Sequence, residues 1–199
     1  MSLPFVRLKR IDTAPILREL APLLNGEWHP HVNTRGHQGR WDCLPLRCAA
    51  QHRQAHPILQ LYALEGHSQW CDLPTLADCP HLLALLDLLP TAIGAVRLMR
   101  LAPGAHIKRH RDKDLSLEGG EVRLHLSLTG SQGVLYHIDD QPLRMAVGEL
   151  WYFNADLPHE VWHRGTEGRI QLVIDAQSSE PLRAWIHQAA QYELSGLLS

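Results

Sequence analysis

Hydrophobic and polar positions follow two different periods along this chain, and the change falls near residue 95. Upstream, Ile16, Leu17, Leu20 and Leu23 recur at helical spacing behind Thr13, which predicts a helix to about Leu24. A second apolar stretch, His81–Leu89, reads as a helix stopped by Pro90. Between them Trp28–Gly39 is polar and rich in His, Asn and Gly, which reads as a loop, while Trp41–Arg47 and Pro57–Ala63 read as strands.

From Ala95 to Ala176 the period is two. Eight short strands are expected at Ala95–Leu101, His106–Asp112, Val122–Leu128, Val134–Ile138, Leu143–Val147, Leu150–Phe153, Glu160–His163 and Arg169–Asp175. Turn-forming sequences such as Pro103-Gly104, Gly119-Gly120 and Asp139-Asp140-Gln141-Pro142 separate them. Short strands at regular spacing imply a mainly β sandwich or barrel of the jelly-roll type. Helical spacing returns over Glu180–Leu198, a C-terminal helix expected to pack on the barrel or on a second subunit in a homodimer. No repeat or linker divides the chain, so one domain is expected over 1–199. Its parts are a helical and mixed N-terminal part (1–94), a jelly-roll core (95–176) and the terminal helix (177–199).

Composition narrows the function classes. With 199 residues, 45% of them hydrophobic and 20% charged, the chain can bury a proper core without disulfides or metal staples. The basic residues are scattered and the net charge is −2, so no nucleic-acid partner is expected. No apolar run is long enough to span a membrane, and the N-terminal stretch lacks an apolar leader core, which points to a cytoplasmic protein. Cys43, Cys48, Cys71 and Cys79 lack paired C-x2-C spacing and read as reduced packing residues.

The 14 histidines invite a search for metal ligands. Two His-x-Asp triplets occur, His110-Arg111-Asp112 and His137-Ile138-Asp139, when about one is expected by chance, so context must separate them. In the first, strand alternation puts both side chains on one face, within reach of one ion. The second runs into Asp140-Gln141-Pro142, which makes Asp139 a turn residue. A third ligand must come from a strand that returns beside the first. His159, 49 residues beyond His110, leaves room for about four intervening strands. Two histidines and one carboxylate with open positions are the set of non-haem iron(II) oxygenases. Ten residues further, Arg169 and Gln171 lie opposite the apolar face of Ile170, Leu172 and Ile174. In the same way Arg123, His125 and Ser127 lie opposite Val122, Leu124, Leu126 and Leu128. A guanidinium directed into a barrel calls for an anion, and a carboxylate fits its fork.

Taken in order, Val96-Arg-Leu-Met-Arg-Leu through His110-Arg-Asp112, Arg123-Leu-His125-Leu, Gly148–Asn154, His159-Glu-Val161 and Arg169–Asp175 closely resemble the aspartyl/asparaginyl β-hydroxylase family. The resemblance covers roughly residues 28–176. It implies a double-stranded β-helix and an iron(II)- and 2-oxoglutarate-dependent dioxygenase that uses O2 to hydroxylate a C–H bond, releasing succinate and carbon dioxide. It implies His110, Asp112 and His159 as iron ligands and Arg169 as partner of the distal 2-oxoglutarate carboxylate, with Arg123 and His125 near the other end of the cosubstrate. It also sets His29, His31 and Asn33 in a loop that forms part of the substrate pocket. Animal members lack the carboxylate ligand, whereas this chain carries Asp112, as small bacterial members do. His106 and His137 are expected to be structural, and Trp151-Tyr152-Phe153 to be core. The expected substrate is an amino acid, a peptide residue or an amino-acid-derived metabolite with an anionic group. The alternatives are a cupin-type metal enzyme that does not use 2-oxoglutarate and a non-enzymatic binding module.

Overall fold

In the computed structural model, residues 3–61 and 69–194 are described. The N-terminal part comprises β1 (Phe5–Arg10), α1 (Ala14–Leu24), β2 (His29–Pro30), β3 (His37–Gln38), β4 (Trp41–Ala49), α2 (Pro57–Gln60), β5 (Trp70–Asp72), α3 (Pro74–Ala77) and α4 (Pro80–Asp87). The remainder comprises β6 (Ile93–Leu101), β7 (His106–His110), β8 (Glu121–Thr129), β9 (Val134–Ile138), β10 (Gln141–Leu143), β11 (Glu149–Phe153), β12 (His159–His163), β13 (Arg169–Gln177) and α5 (Glu180–Leu194).

Two antiparallel sheets face each other. The larger runs β1-β11-β8-β13-β6-β4-β2, with β5 added beside β4, and the smaller runs β10-β9-β12-β7-β3. Alternation along the central strands gives the large sheet two buried faces. Leu124, Leu126, Leu172 and Ile174 pack outward into a core shared with Ile16 and Leu20 of α1, Leu82 and Leu86 of α4, and Leu182 and Ile186 of α5. Val173, Met99, Trp151 and Phe153 point inward and meet Ile107, Tyr136, Ile138 and Val161 of the small sheet. Burying a Leu or Ile side chain stabilises by about 1.5–3 kcal/mol, so the outward core carries the mainly aliphatic share of the stability. The inward face shares its apolar side chains with polar ones, among them Arg123, His125, Arg169 and Gln171.

The structure departs from the expected elements in several places. Pro57–Gln60 is a short helix rather than a strand: Pro57 occupies the first turn, and Ile58 N donates to His56 Nδ1 at 3.3 Å; residues 62 and 63 of that expected strand lie outside the described residues. Phe5–Arg10, not expected as a strand, pairs with β11 and closes one edge of the large sheet. The loop before Trp41 contains the two-residue strands β2 and β3, which hold it to β4 and β7. Of the strand expected at Leu143–Val147 only Leu143 is in a strand, the short return Gln141–Leu143 of the hairpin with β9, and the chain turns into β11 at Gly148, φ +83°. The terminal helix packs on β1, with Leu182, Ile186 and Ala189 in the outward core, and its expected last residues, 195–198, lie outside the described residues.

Candidate active site

The inward faces of the two sheets enclose a cavity of about 720 Å³. At its wall His110 and His159 are directly opposed on β7 and β12, with ring centroids 4.2 Å apart. Strand β7 ends at His110, so Asp112 is not on the strand as expected. Its backbone N–H donates to Ala155 O at 2.9 Å, which folds the chain back and sets Asp112 Oδ1 3.6 Å from His110 Nε2. One ligand atom from each of His110, Asp112 and His159 lies within 4.8 Å of the other two, and among the described residues this is the one such cluster of three.

The donor set fits a divalent metal. His110 Nδ1 lies 2.8 Å from Lys108 O, and His159 Nδ1 lies 2.9 Å from Leu157 O. A carbonyl only accepts, so each Nδ1 carries the proton and each Nε2 presents a lone pair. Burial, reinforced by the neighbouring His110, pushes the His159 imidazole down to about 4, which keeps it neutral and able to ligate.

Deeper in the cavity, Arg169 is 3% exposed; its Nη1 donates to the Tyr136 hydroxyl, and its guanidinium lies 5.7 Å from that ring's centroid. Its Nε, also buried, has no hydrogen-bond partner, and among the described residues no carboxylate pairs with this cation. Gln171, two residues on, points the same way and receives the proton of His125 Nδ1 at 3.1 Å on its Oε1. That leaves His125 Nε2 as a buried acceptor with no donor. Burial holds His125 well below its usual range, so it stays neutral. Phe153 separates the two halves of the site, with its ring 4.6 Å from that of His125 and 5.3 Å from that of His159.

Arg123 lies nearer the His110–Asp112–His159 cluster than Arg169 does. Its Nη1 donates to Asp112 Oδ2, while its Nε and Nη2 donate to Asp175 Oδ1 and Oδ2 at 2.7 and 3.2 Å. Asp175 also receives Arg97, at 2.8 and 3.4 Å. The two arginines hold the Asp175 carboxyl far below the usual carboxylate range against the opposing effect of burial.

The N-terminal loop supplies one side of the cavity. His31 stacks on Trp41 at 3.6 Å and 8° between planes, and burial pushes it down to about 4. Asn33 also lines the cavity, but its Oδ1 accepts from Gly36 N at 2.9 Å in a local turn. His29 does not line the cavity; its ring lies 6.0 Å from that of His56. The second triplet is elsewhere. Asp139 and Asp140 form a two-residue hairpin turn at φ 48° and 64°, and His137 Nδ1 faces Glu160 at 3.4 Å. His106 meets the same Glu160 at 3.2 Å and stacks on Trp162 at 3.5 Å. Tyr152 is core, whereas Phe153 borders the cavity.

Arg97, Tyr136 and Asp175 also line the cavity and were not expected there from the sequence. Arg97 interrupts an apolar strand and Asp175 shares the parity of Arg169, so both left a readable signal. Tyr136 sits in an apolar run that reads as plain core.

The chain is similar to several known proteins. The family model described as aspartyl/asparaginyl beta-hydroxylase matches residues 13–179. An L-proline cis-4-hydroxylase of Rhizobium meliloti is 32% identical over 181 residues, covering 90% of this chain and 62% of that protein, so the chain spans under two thirds of that relative's length. A crystal structure of an oxidoreductase of the 2OG-Fe(II) oxygenase family from Burkholderia pseudomallei superposes with a TM-score of 0.60 at 17% identity. It covers 88% of this chain and 86% of that one, which establishes the shared double-sheet fold.

Proposed function

The chain belongs to the aspartyl/asparaginyl β-hydroxylase family, and on that premise we propose that it is an iron(II)- and 2-oxoglutarate-dependent hydroxylase of a small anionic substrate. The observation that carries this reading is Arg169: a buried guanidinium with no carboxylate partner among the described residues, in the same cavity as a His-Asp-His cluster. A buried cation without an anion is costly, and a dicarboxylate cosubstrate supplies the missing charge.

His110 Nε2, Asp112 Oδ1 and His159 Nε2 would hold the metal, and Arg169 with the Tyr136 hydroxyl would take the distal carboxylate of 2-oxoglutarate. When bound, iron and 2-oxoglutarate supply the activation of O2, with succinate and carbon dioxide as co-products and a hydroxyl group delivered to a C–H bond. The protein holds its own groups fixed meanwhile. Phe153, Ile107 and Val161 give the cavity an apolar wall that limits water near the ligands. Neutral His125 offers an acceptor rather than a proton donor.

An amino acid or an amino-acid-derived metabolite is the proposed substrate. The named activity of the proline-hydroxylating relative supports it. So does the positive charge beside the cavity, where Arg97 and Arg123 share the single carboxylate of Asp175. The test incubates the protein with iron(II), 2-oxoglutarate and a panel of free amino acids, and measures succinate and a substrate mass gain of one oxygen. Substrate-dependent succinate is expected. Turnover or tight binding of a compound without 2-oxoglutarate consumption would replace this reading with a cupin-type enzyme or a binding module.

A further inference from the structure

We infer that Asp175 is a positioning residue for the metal site, acting through Arg123 on Asp112; the inference rests on the reading of His110, Asp112 and His159 as metal ligands.

Asp175 sits at the centre of the large sheet, directly opposite Arg123 of β8. On its other side the pairing of β13 with β6 shifts register between Ile174 and Ala176, so Asp175 lies at an irregularity, a device that re-aims a side chain. Each of its carboxylate oxygens accepts from both Arg97 and Arg123. It is buried and does not belong to the ligand cluster.

The guanidinium plane transmits this arrangement. With Nε and Nη2 of Arg123 fixed on Asp175, the direction of Nη1 is no longer free, because the five N–H groups of an arginine share one rigid fork. Nη1 reaches Asp112 Oδ2 and occupies it. Asp112 is left with Oδ1 turned toward His110. Asp175 therefore determines which oxygen of Asp112 faces the ligand cluster, and its charge offsets that of Arg123, which would otherwise oppose a divalent ion. Removing such an outer partner typically lowers metal affinity about 10- to 100-fold.

The test is a double-mutant cycle read by anaerobic Co(II) titration and by the ligand-field absorption of bound cobalt, which reports carboxylate ligation rather than folding. Asp175→Asn is expected to weaken Co(II) binding at least tenfold and to alter the spectrum. In an Arg123→Met background, where the relay is already cut, the same change is expected to cost less than threefold. The double variant removes one anion and one cation and so keeps the buried charge balanced. Arg123→Lys, which keeps the charge but cannot span Asp112 and Asp175 with one plane, covers the case in which Asp175→Asn alone fails to fold; it too is expected to weaken binding and alter the spectrum. Wild-type affinity and spectrum in Asp175→Asn or in Arg123→Lys would overturn the inference, as would equal losses in both backgrounds of the cycle. If His110→Ala bound Co(II) as the wild type does, the metal-site reading beneath the inference would fall instead.

Discussion

His110 and His159 are cross-strand partners, each with its Nδ1 proton committed to a carbonyl two residues earlier in its own chain segment. This shared arrangement fixes the tautomer of both rings and leaves the lone pair of each Nε2 available to a metal. His110→Ala and His159→Ala are each expected to abolish turnover while leaving the folded structure intact. Asp112→Ala is expected to retain a trace of activity, since animal members of the family lack that ligand. Succinate release, with circular dichroism as the folding control, checks all three; full activity in either histidine variant would refute the assignment.

Truncating one partner of a buried charge pair typically costs about 3–5 kcal/mol, and about 1.4 kcal/mol corresponds to one decade of affinity. Arg169→Ala is therefore expected to weaken 2-oxoglutarate binding by about 100-fold or more while iron(II) still binds. Arg169→Lys is expected to recover part of the loss, because an ammonium does not reproduce the fork. Anaerobic titration of the iron-to-2-oxoglutarate charge-transfer band gives the midpoint, and an unchanged midpoint in Arg169→Ala would favour the cupin alternative.

His137 and Asp139 face away from the cavity, one toward Glu160 and the other in a hairpin turn. Replacing both by Ala is expected to leave iron affinity within about threefold, below about 1 kcal/mol. Iron titration decides, and a loss matching that of His110→Ala would move the metal site to the second triplet.

Three cavity histidines are held neutral by burial, His31 and His159 at about 4 and His125 well below its ordinary value. Below the unfolded value of about 6.5 the unfolded chain binds protons that the folded chain refuses. Stability of the metal-free protein should therefore fall as pH drops from about 6.5 toward 4, by up to about 1.4 kcal/mol per pH unit for each such histidine. Denaturant unfolding at a series of pH values measures the slope. His31→Gln should reduce it by about one proton; a flat wild-type profile over this range would contradict the burial argument.

The parts legible in the sequence were those in which a period and a residue type agreed. Val134–Ile138 and the aliphatic face of β13 were readable because alternation carries both the strand and its buried side. His110 and His159 were readable as a pair because the 49 residues between them leave room for strands that bring one beside the other. Phe5–Arg10 alternates as clearly, yet its partner β11 is about 140 residues away, and nothing local announces the pairing. The roles of Arg123 and Asp175 depend on which carboxylate each guanidinium meets. That is a matter of register between strands distant in sequence, invisible to spacing along one segment.

The two-sided burial of the large sheet divides β8 and β13 by parity: residues of one parity hold helices, those of the other hold chemistry. A single-residue deletion ahead of Arg169 would put Arg169, Gln171 and Asp175 under the helices and Leu172 and Ile174 into the cavity, destroying core and site together. A two-residue deletion would preserve the facing and shift only depth along the barrel. Length changes in the turns feeding these strands are thus tolerable mainly in even steps, whereas substitutions on the helix-facing side can adjust stability without touching the reaction. The same alternation gives the fold freedom to vary its core and almost none to vary its frame.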